Sequence, residues 1–102
     1  MKQNKEYWLK VIGKHKVSDI SMMDKDTCLL SLETEKLDDK FSVQTEIEYW
    51  LDEKTWHFND TIAESETGNF VDAYASGNLT EEEKEECKKV IMNFLKEKGI
   101  VK

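Results

Sequence analysis

Residues 41–51, with the sequence FSVQTEIEYWL, alternate between two chemically different sets of side chains. The first set is mainly apolar and consists of Phe41, Val43, Thr45, Ile47, Tyr49 and Leu51. The second set is polar until it reaches Trp50. Alternation with a period of two over this length is typical of an antiparallel strand that has one buried and one exposed face. This region therefore predicts a sheet, with Trp50 on the polar side.

A second alternating stretch, CLLSLETE at residues 28–35, comes just before the first. Cys28, Leu30, Leu32 and Thr34 are predicted to share the core face; Leu29, Ser31, Glu33 and Glu35 share the other face. The intervening residues, KLDD at 36–39, favour a turn because Asp is common in turns. This hairpin places Leu32 opposite Val43 and Glu35 opposite Lys40, which keeps apolar side chains together.

The next hairpin is predicted to turn at residues 52–55, DEKT. Its register again places apolar residues opposite apolar residues and polar ones opposite polar ones. The predicted pairs are Leu51 with Trp56, Tyr49 with Phe58, Trp50 with His57, and Glu48 with Asn59. Trp56 and Phe58 are thus assigned to the core, and Trp50 and His57 to the outer side.

The two ends of the sheet have weaker patterns. Residues 6–13 and 16–23 resemble strands, which gives four to five strands in a meander. Residues 69–76 lie between Gly68 and Gly77, and we expect a short helix there with Phe70, Val71 and Tyr74 facing inward. An additional strand is the alternative for this segment.

A helix is predicted at about residues 81–98. Thr80 and Glu83 form a capping-box pattern, and Gly99 follows the last turn, where a left-handed residue commonly ends a helix. One stripe at helical spacing is apolar: Cys87, Val90, Ile91, Phe94 and Leu95. Packing this stripe on one face of the sheet gives a single α+β domain over residues 1–102.

The charge of the chain limits its possible partners. The net charge is −7, and all 15 basic residues are Lys. An acidic chain lacks the excess positive charge on which non-specific nucleic-acid binding depends, so no direct nucleic-acid binding is expected. The sequence has no apolar run long enough for a membrane helix and no signal-peptide pattern, which predicts a cytoplasmic protein with no membrane association.

The sequence contains no recognisable catalytic or metal-binding motif. The metal ligands His15, His57, Cys28 and Cys87 lack the paired spacing of zinc sites, so we expect no metal and no cofactor. The two cysteines are interpreted as small apolar residues. His57 beside Glu46 or Glu48 could act as a general base, but a half-exposed strand histidine explains it more simply. The chain is therefore predicted not to be an enzyme.

The polar side of the predicted sheet is the candidate partner-binding site. It combines one aromatic pair with polar and acidic groups: Gln44, Glu46, Glu48, Trp50, His57 and Asn59. Aromatic anchors surrounded by polar groups are common in protein interfaces. The hypothesis is a small binding protein that contacts a basic protein surface, of the inhibitor, immunity or anti-defence type that phages and bacteria encode.

Three alternatives stay open at the level of sequence. A small-ligand or substrate pocket near Trp50, His57 and Tyr49 is one of them. A homo-oligomer that uses the outer sheet face as its own interface is another. The third is a larger acidic surface that joins Glu33, Glu46 and Glu48 to the acidic start of the helix at Glu81, Glu82, Glu85 and Glu86.

Overall fold

The computed structural model describes residues 10–73 and 77–102. These residues form an antiparallel sheet and one helix, α1 (Glu81–Glu97). The strands are β1 (Val11–Ile12), β2 (His15–Asp24), β3 (Thr27–Leu32), β4 (Glu35–Lys36), β5 (Phe41–Trp50), β6 (Thr55–Glu64) and β7 (Phe70–Ala73). They are ordered β1-β2-β3-β5-β6-β7, with the short β4 also paired to β5. The predicted α+β class and antiparallel sheet are confirmed.

Over residues 10–73 and 77–102, the sheet has seven strands instead of the predicted four to five. One additional strand is β7, which replaces the helix predicted for residues 69–76. Phe70 and Val71 pair with Ala63 and Ile62 of β6, and both are exposed instead of facing inward. Tyr74 lies outside the described residues. A four-residue segment after a hairpin turn gains ladder hydrogen bonds as a strand, whereas a helix this short is only marginally stable.

The second additional strand, β4, arises from an irregularity in the first predicted hairpin. Leu30 pairs with Ile47, and Glu35 pairs with Val43. The first strand therefore advances five residues while β5 advances four, so the segment at residues 33 and 34 contains one unpaired position. The inserted position reverses the faces that follow it. Thr34 is exposed instead of buried, and Glu35 lies on the helix side instead of the outer side. The turn occupies residues 37–40, one position later than predicted.

The β5–β6 hairpin has the predicted faces in a different register. Its turn covers residues 51–54, and Lys54 adopts a left-handed backbone with φ 55°. Thr55 is β-branched and starts β6 opposite Trp50 instead of belonging to the turn. Because both ends of the turn move by one residue, the pairing shifts by two, and every side chain keeps its face. Tyr49 is therefore opposite Trp56, and Ile47 opposite Phe58.

Helix α1 begins and ends almost where the sequence predicts. Thr80 and Glu83 form the complete capping box, with each side chain accepting a hydrogen bond from the other residue's backbone N–H. At the other end, Ile100 N–H donates to Leu95 C=O at 2.9 Å, and Gly99 has φ 76°. This is the Schellman arrangement that satisfies the final carbonyls of a helix.

The core lies between α1 and one face of the sheet, here called the inner face. The helix packs over β1 and β3. Its predicted stripe is buried in full, together with Cys28, Leu30, Ile47 and Tyr49 from the sheet. Trp56 and Phe58 pack against this core and are half-buried, with the ammonium groups of two α1 lysines over their rings.

The described residues include no helix with the length and apolar character of a membrane span.

The two cysteines behave as the small apolar residues that the sequence predicts. Both are fully buried in this core, and both are free thiols. Burial raises the pKa of the Cys28 thiol to about 12 and that of the Cys87 thiol to about 12. A thiolate is the reactive form of cysteine, so burial disfavours the reactive form of both residues.

Candidate outer-face interface

The outer face is the side of the sheet opposite α1. The register places its central residues in cross-strand rows that run over β3, β5 and β6. One row contains Thr27, Trp50 and Thr55, the next Leu29, Glu48 and His57, and the third Ser31, Glu46 and Asn59. All six residues predicted for the interface lie on this face. The sequence correctly predicted which alternate residues of β5 and β6 lie on each face of the sheet.

Trp50 and His57 form an aromatic contact, although they are not directly opposite each other as predicted. Trp50 is opposite Thr55, and His57 is opposite Glu48. The two rings therefore meet diagonally, with centroids 4.0 Å apart and planes inclined by 33°. Diagonal neighbours on one sheet face lie within reach of aromatic side chains. The predicted pairing is wrong in register, but the predicted proximity is present.

Hydrogen bonds hold both rings in place. Trp50 Nε1–H donates to Glu48 Oε1 at 2.8 Å, within one strand. On the neighbouring strand, Thr55 Oγ1 and His57 Nε2 lie 3.1 Å apart. The rings and these polar partners form a half-buried cluster, here called the Trp50 cluster: Glu48, Trp50, Thr55 and His57. A ring fixed in this way loses little conformational freedom when it binds a partner.

Two further carboxylates, those of Glu46 and Asp19, lie in the row next to the Trp50 cluster. Glu46 is two residues from Glu48 on the same face, and Ser31 Oγ donates to its Oε2 at 3.4 Å. Asp19 of β2 is paired with Ser31, so it extends the same row. Asp19 is a residue of this face that the sequence interpretation omitted. The alternation of serine with leucine in CLLSL indicates that Ser31 lies on the outer face. The pairing of β2 with β3 is also needed to place Asp19 beside Ser31.

Gln44 and Asn59 complete the predicted set and lie beside the acidic centre. Gln44 Nε2 donates to the backbone C=O of Leu32 at 3.3 Å, which ties its side chain to the neighbouring strand. Asn59 is directly opposite Glu46. Both side chains are half-buried. Asn59 lies one row from the Trp50 cluster and Gln44 two rows from it, so they extend the polar part of the outer face.

The outer face and the acidic start of α1 do not form one surface. Glu46 and Glu48 alternate with Ile47, which packs in the core beneath α1. The glutamates of α1 therefore lie on the opposite side of the sheet from Glu46 and Glu48. The prediction of a joint acidic surface is wrong, because α1 covers the inner face and the outer-face glutamates point the other way.

Two elements of the described structure, α1 and β7, lie away from Trp50. Helix α1 lies on the other side of the sheet, and β7 pairs with the far end of β6, where Phe70 is opposite Ala63. Ala63 is eight positions after Thr55, which is roughly 26 Å along a strand. Residues 1–9 and 74–76, which include Trp8 and Tyr74, lie outside the described residues.

Two surface depressions, of about 420 and 340 Å³, lie on the helix side of the molecule. The larger is lined by Gly13, Thr80, Glu83 and neighbouring residues, and the smaller by residues of α1 alone. Neither is lined by Trp50, His57 or Tyr49, the residues of the alternative ligand-pocket hypothesis. Within residues 10–73 and 77–102, no cluster of three metal-ligating side chains occurs.

A second polar cluster, which the sequence did not predict, lies on the inner face beside the start of α1. His15 is 1% exposed, and its Nδ1 lies 2.7 Å from Glu35 Oε2. Asn78 Nδ2 donates to Glu35 Oε2 at 3.2 Å and to Thr45 Oγ1 at 3.0 Å. Thr45 Oγ1 in turn donates to Asp60 Oδ1 at 2.8 Å. These five residues are called the His15 network.

The His15 network attaches the segment before α1 to the sheet. Asp60 Oδ2 accepts hydrogen bonds from the backbone N–H groups of Gly77 and Asn78 at 2.9 and 3.2 Å. On the helix itself, Glu83 Oε1 is 3.6 Å from His15 Nε2. The capping bond from Thr80 N–H lowers the pKa of the Glu83 carboxyl, and the nearby His15 lowers it further. Buried polar groups linked in this way fix a unique arrangement of the elements they join.

The location of the His15 network explains its absence from the sequence prediction. Its central contact joins His15 to Glu35, and Glu35 reaches the inner face only because of the irregularity at residues 33 and 34. The only local signal is Thr45, a polar residue within the apolar face of β5. A polar residue at such a position requires a buried partner.

Comparison of the chain with protein-family models, with curated proteins and with solved structures gave no match.

Proposed function

We propose that this chain is a small, non-enzymatic binding protein that uses the outer face of its sheet to mask a basic surface on another protein. The observation that carries the proposal is the Trp50 cluster, in which hydrogen bonds with Glu48 and Thr55 hold an aromatic pair next to a row of acidic residues. Fixed tryptophans are common energetic centres of protein interfaces, and polar neighbours around them exclude water.

Electrostatics supports a basic partner. The chain has a net charge of −7, and Asp19, Glu46 and Glu48 lie together on the outer face. Such a surface increases the rate of encounter with a positively charged protein, and the effect decreases as salt increases. A lysine or arginine of the partner can stack on the Trp50 ring and contact a neighbouring carboxylate. In this proposal the protein works in the cytoplasm, as an inhibitor, an immunity protein or an anti-defence protein.

The proposal is tested by affinity capture from the native host at low and at high salt, followed by titration of the captured partner. We expect capture at low salt and a loss of at least tenfold in affinity when Glu46→Lys and Glu48→Lys are combined. The matched control is Glu82→Lys with Glu97→Lys, which makes the same change in charge on α1. Equal losses in the two double variants would show that net charge alone drives binding, and would contradict the assignment to the outer face.

A further inference from the structure

Within the residues that the structure describes, strand β7 ends the sheet on one side with an apolar edge that no other strand pairs with. Phe70 is 66% exposed and Val71 is 69% exposed. The two side chains lie on opposite faces of the strand, since Phe70 is opposite Ala63 on the outer face and Val71 is opposite Ile62 on the inner face. In the described part of the chain, β6 is the only strand that pairs with β7.

The phase of the hydrogen-bond ladder identifies the backbone groups that this edge presents. Glu64 N–H donates to Asn69 C=O at 2.8 Å, which makes these two residues a hydrogen-bonded pair. Hydrogen-bonded pairs alternate along an antiparallel ladder, so Val71 bonds toward β6. The N–H and C=O groups of Phe70 and Asp72 therefore point away from the sheet, in the orientation that an added strand requires.

The opposite edge of the sheet differs from β7. Strand β1 is two residues long, its Ile12 is buried, and Lys10 and Lys14 flank it. Short length and lysines are the usual features that prevent an edge from pairing with another chain. Strand β7 contains neither lysine nor proline, and its register with β6 is regular.

We propose that β7 receives an extended segment of a basic partner as an added strand. This inference rests on the proposed function, in that the partner is the same basic protein. On the outer face, the added strand meets Phe70 and Asp72, which a lysine or arginine matches by cation–π contact and ion pairing. On the inner face it meets Val71, which an apolar side chain matches. Alternating basic and apolar residues are therefore the pattern that fits β7.

Charge selects this occupant over a second copy of the chain. A second copy brings its own net charge of −7 and its own Asp72 to the edge. A basic segment brings the opposite charge to a carboxylate that is already held in place, because Thr61 Oγ1 donates to Asp72 Oδ1 at 2.8 Å.

The test uses a capped eight-residue peptide of alternating lysine and valine, and a matched peptide in which glutamate replaces lysine. Binding is followed by amide NMR shifts and by hydrogen exchange of the full chain. We expect the lysine peptide to slow exchange of the Phe70 and Asp72 amides at least tenfold, with little change at Val71. The glutamate peptide should have no effect.

Two variants separate the backbone contribution from the side-chain contribution. Asp72→Pro removes an outward N–H and keeps the backbone bonds to β6, and we expect it to abolish peptide binding. It also removes the side-chain bond from Thr61, as Asp72→Ala does, so this loss is common to both variants. Asp72→Ala keeps this N–H and should weaken binding only severalfold. Circular dichroism confirms that each variant is folded, and the exchange data on the unmodified chain do not depend on either variant.

Several results would overturn the added-strand proposal. One is the absence of protection at Phe70 and Asp72 at millimolar peptide, and another is unchanged binding by a folded Asp72→Pro variant. Protection of these amides that depends on protein concentration, without peptide, would identify a second copy as the occupant. Shifts confined to Trp50, His57 and Glu46 would reject the edge and leave the proposed outer-face function standing.

Discussion

The two histidines of the chain lie in opposite environments. His15 is on the inner face, fully buried and bonded to Glu35, in a network that joins the sheet to the start of α1. His57 is on the outer face, half-buried and in contact with the ring of Trp50. The same residue type therefore holds the fold together at one site and forms part of a candidate binding surface at the other. This difference predicts that stability and partner binding respond to different substitutions.

The largest expected effect on stability comes from His15→Ala. The substitution leaves a cavity in the core and removes one of the two partners of Glu35, so we expect the free energy of unfolding to fall by about 3 kcal/mol. His57→Ala is the matched control on the other face and should cost about 0.5 kcal/mol. Urea unfolding of both variants measures the difference. Similar losses for the two would remove the distinction between the sites.

A smaller effect is expected where the β1–β2 turn meets α1. Gly13 has φ 60°, and an added Cβ at this position meets the carboxylate of Glu83. Gly68 has φ 75° with no neighbouring atom in the way, so it controls for backbone strain alone. We expect Gly13→Ala to cost about 2 kcal/mol and Gly68→Ala about 1 kcal/mol. Equal losses in thermal or urea unfolding would show that Glu83 can move away at no cost.

The dependence of stability on pH should carry a contribution from Glu83. Its pKa in the folded protein is below the ordinary value of 4.5, chiefly because the carboxylate accepts the Thr80 N–H bond. As pH falls, the unfolded chain binds this proton first. The stabilisation is therefore present above pH 4.5 and is lost as pH falls through the folded-state pKa. Its size is that of a helix cap, about 1 kcal/mol.

Glu83→Gln should flatten this part of the pH dependence. Melting temperatures from about pH 6 to about pH 3 measure it for the wild type and the variant. Glu82→Gln is the control, since Glu82 is an exposed neighbour outside the capping box. An equally steep decline in the Glu83→Gln variant would contradict the role of the cap.

The two sites also show which features could be predicted from the sequence. The faces of β5 and β6 follow from alternation alone. An error of one residue at each end of the turn shifted the register by two, which kept Trp50 and His57 on one face and close together. The contact of His15 with Glu35 depends on the single inserted position at residues 33 and 34. This insertion moves Glu35 from the outer face of the sheet to the inner face. Alternation cannot predict this reversal, because the reversal is an interruption of the alternation.

The end of the sheet shows a related limit. Phe70 and Val71 are apolar, and the sequence assigns apolar residues to the core, yet both are exposed on β7. Hydrophobicity indicates that a residue can be buried but does not identify what covers it. The caps of α1, in contrast, depend on residues within a few positions of one another, and Thr80, Glu83 and Gly99 were predicted correctly.

Trp50→Ala has a small expected effect on stability, and the same variant has the largest expected effect on binding. Trp50 contributes a ring contact and one hydrogen bond on the outer face, so its removal should cost about 1 kcal/mol of unfolding free energy. Trp56→Ala is the control on the inner face, where it removes part of the core packing. We expect Trp56→Ala to reduce stability by about 3 kcal/mol and to leave the affinity of the folded protein unchanged.

The most direct test of the central claim is the dissociation constant of the captured basic partner for folded Trp50→Ala, measured beside wild type and Trp56→Ala at low salt. We expect a loss of at least tenfold for Trp50→Ala and a change of less than twofold for Trp56→Ala. Wild-type affinity in the Trp50→Ala variant would contradict the assignment of the outer face as the binding site.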